Sequence, residues 1–137
     1  MEGDFTSAWL MYSIVHSESE HKYSKLVDII AVADYSNHAI LTYFEFNEGL
    51  TLLLNLGFVT SKNDKLFLSD SFKQWWTAEF AKKKRRYVQK EILDINEHIS
   101  KLKSSLPKKV DLPIISESDF NKAVNEYLDK MKNILHS

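Results

Sequence analysis

Apolar residues recur at three- and four-residue spacings over most of the chain, broken once by a short alternating segment. Trp9, Leu10 and Ile14, widened by Met11 and Val15, predict a first helix. It should start near Thr6 or Ser7 as N-cap and fade in the Ser-Glu-Ser-Glu stretch 17–20. A second helix over about Ser24–Tyr35 turns Leu26, Ile29, Ile30 and Ala33 inward, with Val27 and Val32 beside them, until Asn37-His38 interrupts the pattern. Thr42 followed by Glu45 is a capping box, in which hydroxyl and carboxylate each take a backbone amide of the first turn. The third helix runs through Leu50, Leu53 and Leu54 to Leu56, and Gly57 supplies the left-handed stop. Phe58-Val-Thr60, a Ser-Lys-Asn-Asp turn and Lys65–Leu68 then form a small hairpin.

Beyond Ser69 or Asp70, either of which can cap, the pattern predicts one long helix from Phe72 to about Ser104, roughly 50 Å at 1.5 Å per residue. Phe72, Trp75, Trp76 and Phe80 give its first part an apolar face for the preceding elements. Val88, Ile92, Ile95, Ile99, Leu102 and Leu106 alternate spacings of four and three, a heptad seam. Pro107 stops it. An extended connection over 108–118 follows, with Pro113 biasing Leu112 away from helix. A last helix from Ser116 or Ser118 carries Phe120, Val124, Tyr127 or Leu128, Met131, and Ile134 or Leu135 on one face. That face is the natural partner of the seam, within one chain or across two. The expected class is mainly α with a small β-hairpin wing: a winged-helix-like domain over 1–70, then a long helix and a C-terminal helix over 71–137, forming a helical hairpin or a dimerisation extension.

Residues 6–70 resemble a winged-helix (winged helix-turn-helix-like) domain. The stretch Ala33-Asp-Tyr-Ser-Asn-His-Ala-Ile-Leu-Thr42, with Glu45 and the closing Leu56-Gly57-Phe58, is similar to a group of small uncharacterised bacterial winged-helix-like proteins. In that group a proline commonly stands before the capping threonine; Leu41 stands here. The resemblance implies the fold and brings no catalytic residue with it.

Charge changes the picture. In winged helices the third helix usually enters the major groove, yet Tyr43–Leu56 holds Glu45 and Glu48 and neither Lys nor Arg. Residues 1–72 carry four lysines (Lys22, Lys25, Lys62, Lys65) against ten acids, net −6. Residues 73–106 carry nine bases against four acids, net +5, while 107–137 balance at five each. Polyanions should be repelled by the first part and drawn only to the second. Lys82, Lys83, Lys84, Arg85 and Arg86 would encircle a helix, as a solvated span or as a collar contacting phosphates.

Little else in the chain points to chemistry. With no Cys there is no thiolate nucleophile, disulfide framework or cysteine-held metal, and a cytoplasmic protein is the default. The acidic N-terminus is unlike a signal peptide, and no apolar run reaches the ~20 residues of a membrane span. His16, His21, His38, His98 and His136 form no His-x₃-His pair, and His38 reads as a turn residue. The three glycines are too scattered for a phosphate loop. No catalytic, cofactor or metal residue is expected.

Two function classes follow from this reading. One is a non-catalytic interaction protein making a homodimer or docking a protein partner, with Trp75, Trp76, Val88, Ile92, Ile95, Ile99 and Leu102 as contact residues. The alternative is a DNA-binding transcriptional regulator that grips phosphates through Lys62 and Lys65 on the wing and Lys82–Arg86.

Overall fold

The computed structural model describes residues 2–18, 22–37, 39–62, 65–82, 87–103 and 115–136. Its core is organised around α1 (Glu2–Ser17). Every residue from Ser7 to Ile14 is buried, so this helix has no solvent face along its middle. A helix apolar all round must be sheathed on all sides, and α2 (Leu26–Asn37), α3 (Tyr43–Asn55) and α5 (Val88–Lys103) do this together. The helix starts at Glu2 rather than at Thr6 or Ser7 because Ser7 is not a cap. It lies in the interface with α3, its Cα 3.6 Å from where a Cβ on Gly49 would stand.

The sheet has three antiparallel strands in the order β1-β3-β2. β2 (Val59–Lys62) and β3 (Lys65–Leu68) are the expected hairpin. β1 (Ser24–Lys25) pairs Ser24 with Leu66 and Lys25 with Lys65. The second helix therefore begins at Leu26, two residues later than its periodicity suggests. Two residues are too few to show alternation, and the buried Ser24 hydroxyl secures the strand by donating to the Ile14 carbonyl at 2.9 Å. Helix-rich with a small three-stranded sheet, this arrangement is compatible with a winged-helix-like domain.

The capping box is present at α3 in both halves. The Glu45 amide donates to Thr42 Oγ1 at 3.1 Å, and the Thr42 amide donates to Glu45 Oε1 at 2.9 Å. Gly57 closes the helix at φ +76°. Gly49 is needed for a different reason: a Cβ there would come within 3.0 Å of Leu10 Cδ2, so its absence lets α1 and α3 approach closely.

The single helix expected from Phe72 to Ser104 is two helices, α4 (Asp70–Lys82) and α5. Between them the sequence has Lys83, Lys84, Arg85 and Arg86, which offer no apolar side chain to bury, and Tyr87, which is 66% exposed. The chain doubles back, bringing His98 of α5 against Trp75 of α4 with ring centroids 4.0 Å apart and planes 2° from parallel. Phe58 stacks at 5.2 Å from the same imidazole. The heptad seam also finds a different partner. Ile92, Ile95 and Ile99 are buried on the side of α5 that packs against α1, not against the last helix.

The last helix, α6 (Glu117–His136), is capped by Ser116, whose Oγ accepts from the Asp119 amide at 3.1 Å. It runs along α2 and touches the start of α3. Phe120 packs on Tyr43 and Phe46, and the Tyr43 hydroxyl donates to the Ile115 carbonyl at 2.8 Å. Tyr127 donates to Asp34 Oδ2 at 2.5 Å, and burial together with that carboxylate pushes the phenol up to about 12. At 20 residues, about 30 Å, α6 outruns the 12-residue α2, leaving Leu128, Met131 and Ile134 substantially exposed.

Two substitutions test this packing. Thr42→Ala should cost about 1 kcal/mol, as loss of an N-cap does. Gly49→Val should cost roughly 1–3 kcal/mol by overpacking against Leu10. Urea denaturation followed by circular dichroism reads both; an unchanged midpoint for Gly49→Val would show that α1 and α3 are not in close contact.

Candidate functional site

Two outward surfaces of the 1–70 region bear on function among the described residues. The first is the outer face of α3. Phe46, Gly49, Leu50 and Leu53 point inward and are buried. Phe44 and Glu48 lie on the opposite side, with Phe44 71% exposed, and the half-buried Thr51 and Asn55 continue that face. No Lys or Arg occurs anywhere on this helix. Glu45 is engaged in the cap, which leaves Glu48 as the carboxylate directed to solvent. The face is therefore apolar at one end and anionic in the middle.

The second surface is the outward side of the sheet. Ser24 and Leu66 are each 1% exposed and point inward, so their neighbours along the strands point outward. Lys25 faces Lys65, and Lys65 faces Lys62, which makes a row of three lysines across all three strands. The Lys65 ammonium lies 4.5 Å from the centroid of the Tyr23 ring. Tyr23 in turn sits 6.1 Å from Phe67, whose cross-strand partner is Thr60. Lys22, at the entry to β1, holds a left-handed φ of 70°. That conformation is uncommon for a residue with a Cβ. All four cations of residues 1–72 thus lie on or beside one small sheet.

The structure separates the residues that the sequence singled out. Lys62 and Lys65 come together and are joined by Lys25, which has no signal in one dimension because β1 is only two residues long. Lys82 ends α4, and Lys83–Arg86 lie outside the described residues, as does His38. Of the proposed oligomer contacts, Ile92, Ile95 and Ile99 are inside the chain's own core. Val88 is half-buried and Leu102 is 38% exposed at its ends. Trp75 and Trp76 are both half-buried: Trp75 stacks on His98, and Trp76 lies 6.1 Å from Phe72 and 6.0 Å from His16.

Polar groups on α1, α4 and α5 also face one another. His16 Nε2 and Glu91 Oε1 are 2.8 Å apart and connect α1 to α5. The Tyr12 ring stands 4.3 Å from His16, and burial, with the Glu91 charge nearby, raises the Tyr12 phenol. Between α4 and α5, a cleft of about 200 Å³ is lined by Trp75, Glu79, Lys90, Asp94, Glu97, His98 and Lys101. Among the described residues, no group of three or more potential ligands could hold a metal ion. No helix among them is long and apolar enough to cross a membrane. No protein-family model matches the chain, and no curated protein or solved structure shows significant similarity to it.

His98 makes the α4–α5 contact sensitive to pH. Burial lowers its pKa below the usual 6.5, with Lys101 adding to the effect and Glu79 opposing it. The folded state therefore prefers the neutral ring. Its stabilising contribution is complete above about 6.5, the unfolded value, and is lost as pH falls through the lowered folded value. Urea midpoints measured from pH 7.5 to 5 should fall less steeply for His98→Phe than for the native chain; parallel curves would refute a neutral stacked imidazole.

Proposed function

We propose that the chain is a non-catalytic, winged-helix-like interaction protein that meets a protein partner through the outer face of α3. The observation that carries this reading is the chemistry of that face. An exposed aromatic, Phe44, stands one turn from an exposed carboxylate, Glu48, and the helix bears no cation. A helix that reads bases is seated between two rows of phosphates, and its affinity comes largely from Lys and Arg. Here the same position would place carboxylates against phosphates. Aromatic residues are instead enriched at protein interfaces, where a buried ring surrounded by polar groups often dominates the energy. The complementary partner is a basic surface with an apolar pocket for Phe44.

Wing contacts to duplex DNA are the competing reading, favoured by the pairing of Lys62 with Lys65 in the sheet. Non-specific phosphate attraction through the wing would not by itself make α3 a reader of sequence. Selection from a random duplex pool should therefore return no enriched motif. Recovery of a motif whose binding disappears in Phe44→Ala or Thr51→Ala would overturn the proposal. On the positive side, a photo-crosslinking residue at position 44 should give adducts that protease removes and nuclease does not.

A further inference from the structure

We propose that the outward face of the wing sheet binds single-stranded nucleic acid, its phosphates following the lysine row and a base stacking on Phe67. This goes beyond the α3 reading and does not depend on it. The starting point is a cost. Lys25, Lys65 and Lys62 are direct cross-strand neighbours, and strands in a sheet are ~5 Å apart. Like charges placed opposite one another destabilise a sheet. Nothing in the packing asks for them: Lys25 and Lys62 are exposed, and the core side of the sheet is built by Ser24, Leu66 and Val59.

Three carboxylates of residues 1–72 are committed elsewhere. Glu18 lies 3.6 Å from Lys73, Asp34 accepts from Tyr127, and Glu45 completes the α3 cap. Lys25 also borders a groove with Asp119 and Glu126 on α6, which flank one end of the row. The net charge of −6 over residues 1–72 therefore conceals a local cationic strip. Such a strip is a site for an anion whose charges repeat along a line.

The neighbouring row identifies the kind of polyanion. Tyr23 and Phe67 lie side by side next to the lysines, with Lys65 held over the Tyr23 ring. Lysines that track a backbone, beside aromatic rings on which bases can stack, are the two components of single-strand recognition. A duplex keeps its base faces stacked internally and cannot use Phe67. A single strand leaves its base faces free to stack there.

The test is fluorescence anisotropy with a labelled twenty-nucleotide oligothymidylate. Three or four phosphates neutralised on a single strand give a slope of log affinity against log salt of about −2 to −3. Affinity should then fall roughly 20- to 50-fold between 50 and 200 mM salt. Lys25→Gln and Lys62→Gln should each flatten the slope by about 0.7. Phe67→Ala should weaken binding without changing the slope. Thermal melting of each variant shows that it remains folded, and Phe67→Leu, which keeps apolar bulk but not the aromatic face, should weaken binding as Phe67→Ala does. Four results would overturn the proposal: no binding at 50 mM salt, a slope that Lys25→Gln and Lys62→Gln combined leave unchanged, tighter binding of a duplex of equal length, or equal competition by polyglutamate. The first three would leave the α3 reading intact, since that reading turns on sequence selection and crosslinking at position 44.

Discussion

A helix buried on every side governs the rest of this structure. From Ser7 to Ile14 the first helix has no position at which water can be met. A small winged-helix-like unit ordinarily has few elements to cover such a helix. The second and third helices cover two of its sides, and the remaining side requires another helix. That requirement explains why the chain turns back after the fourth helix. It also explains why the isoleucines of the fifth are spent inside the molecule.

The sheathing also decides where the last helix goes. With the seam of α5 taken by α1, the apolar face of α6 is left to α2 and to the start of α3. Phe120 and Tyr127 occupy that contact, anchored by hydrogen bonds from Tyr43 to Ile115 and from Tyr127 to Asp34. α2 is too short to cover the whole of α6, so its apolar stripe runs on into solvent past Tyr127. Hydrophobic periodicity records that a face needs cover, and does not record how far the cover extends.

Electrostatics follow the same logic. Ten acids against four lysines describe a region that should repel polyanions. Coulomb interactions are screened over about 10 Å at 0.1 M salt, so what matters to a ligand is the charge within that distance, not the regional sum. The fold gathers the four lysines on or beside the sheet and leaves two carboxylates on α3. One region thereby presents an anionic helix face and a cationic strand face.

Features that depend on neighbours in the chain were legible without the structure. The capping box of Thr42 and Glu45, the stop at Gly57, the hairpin and the Ser116 cap are all local: a hydroxyl three residues from an amide, or a residue without a Cβ where φ is positive. The absence of cations on α3 was equally plain, because helix residues are read in order. Tertiary structure decided what depends on distance across the fold. A two-residue strand leaves no pattern, so the alignment of Lys25 with Lys65 and Lys62, some forty residues away, exists only once the sheet has formed. The partner of the α5 seam was equally undetermined, since two apolar faces of matching period fit several others. Only the need to bury the first helix on its remaining side chose between them.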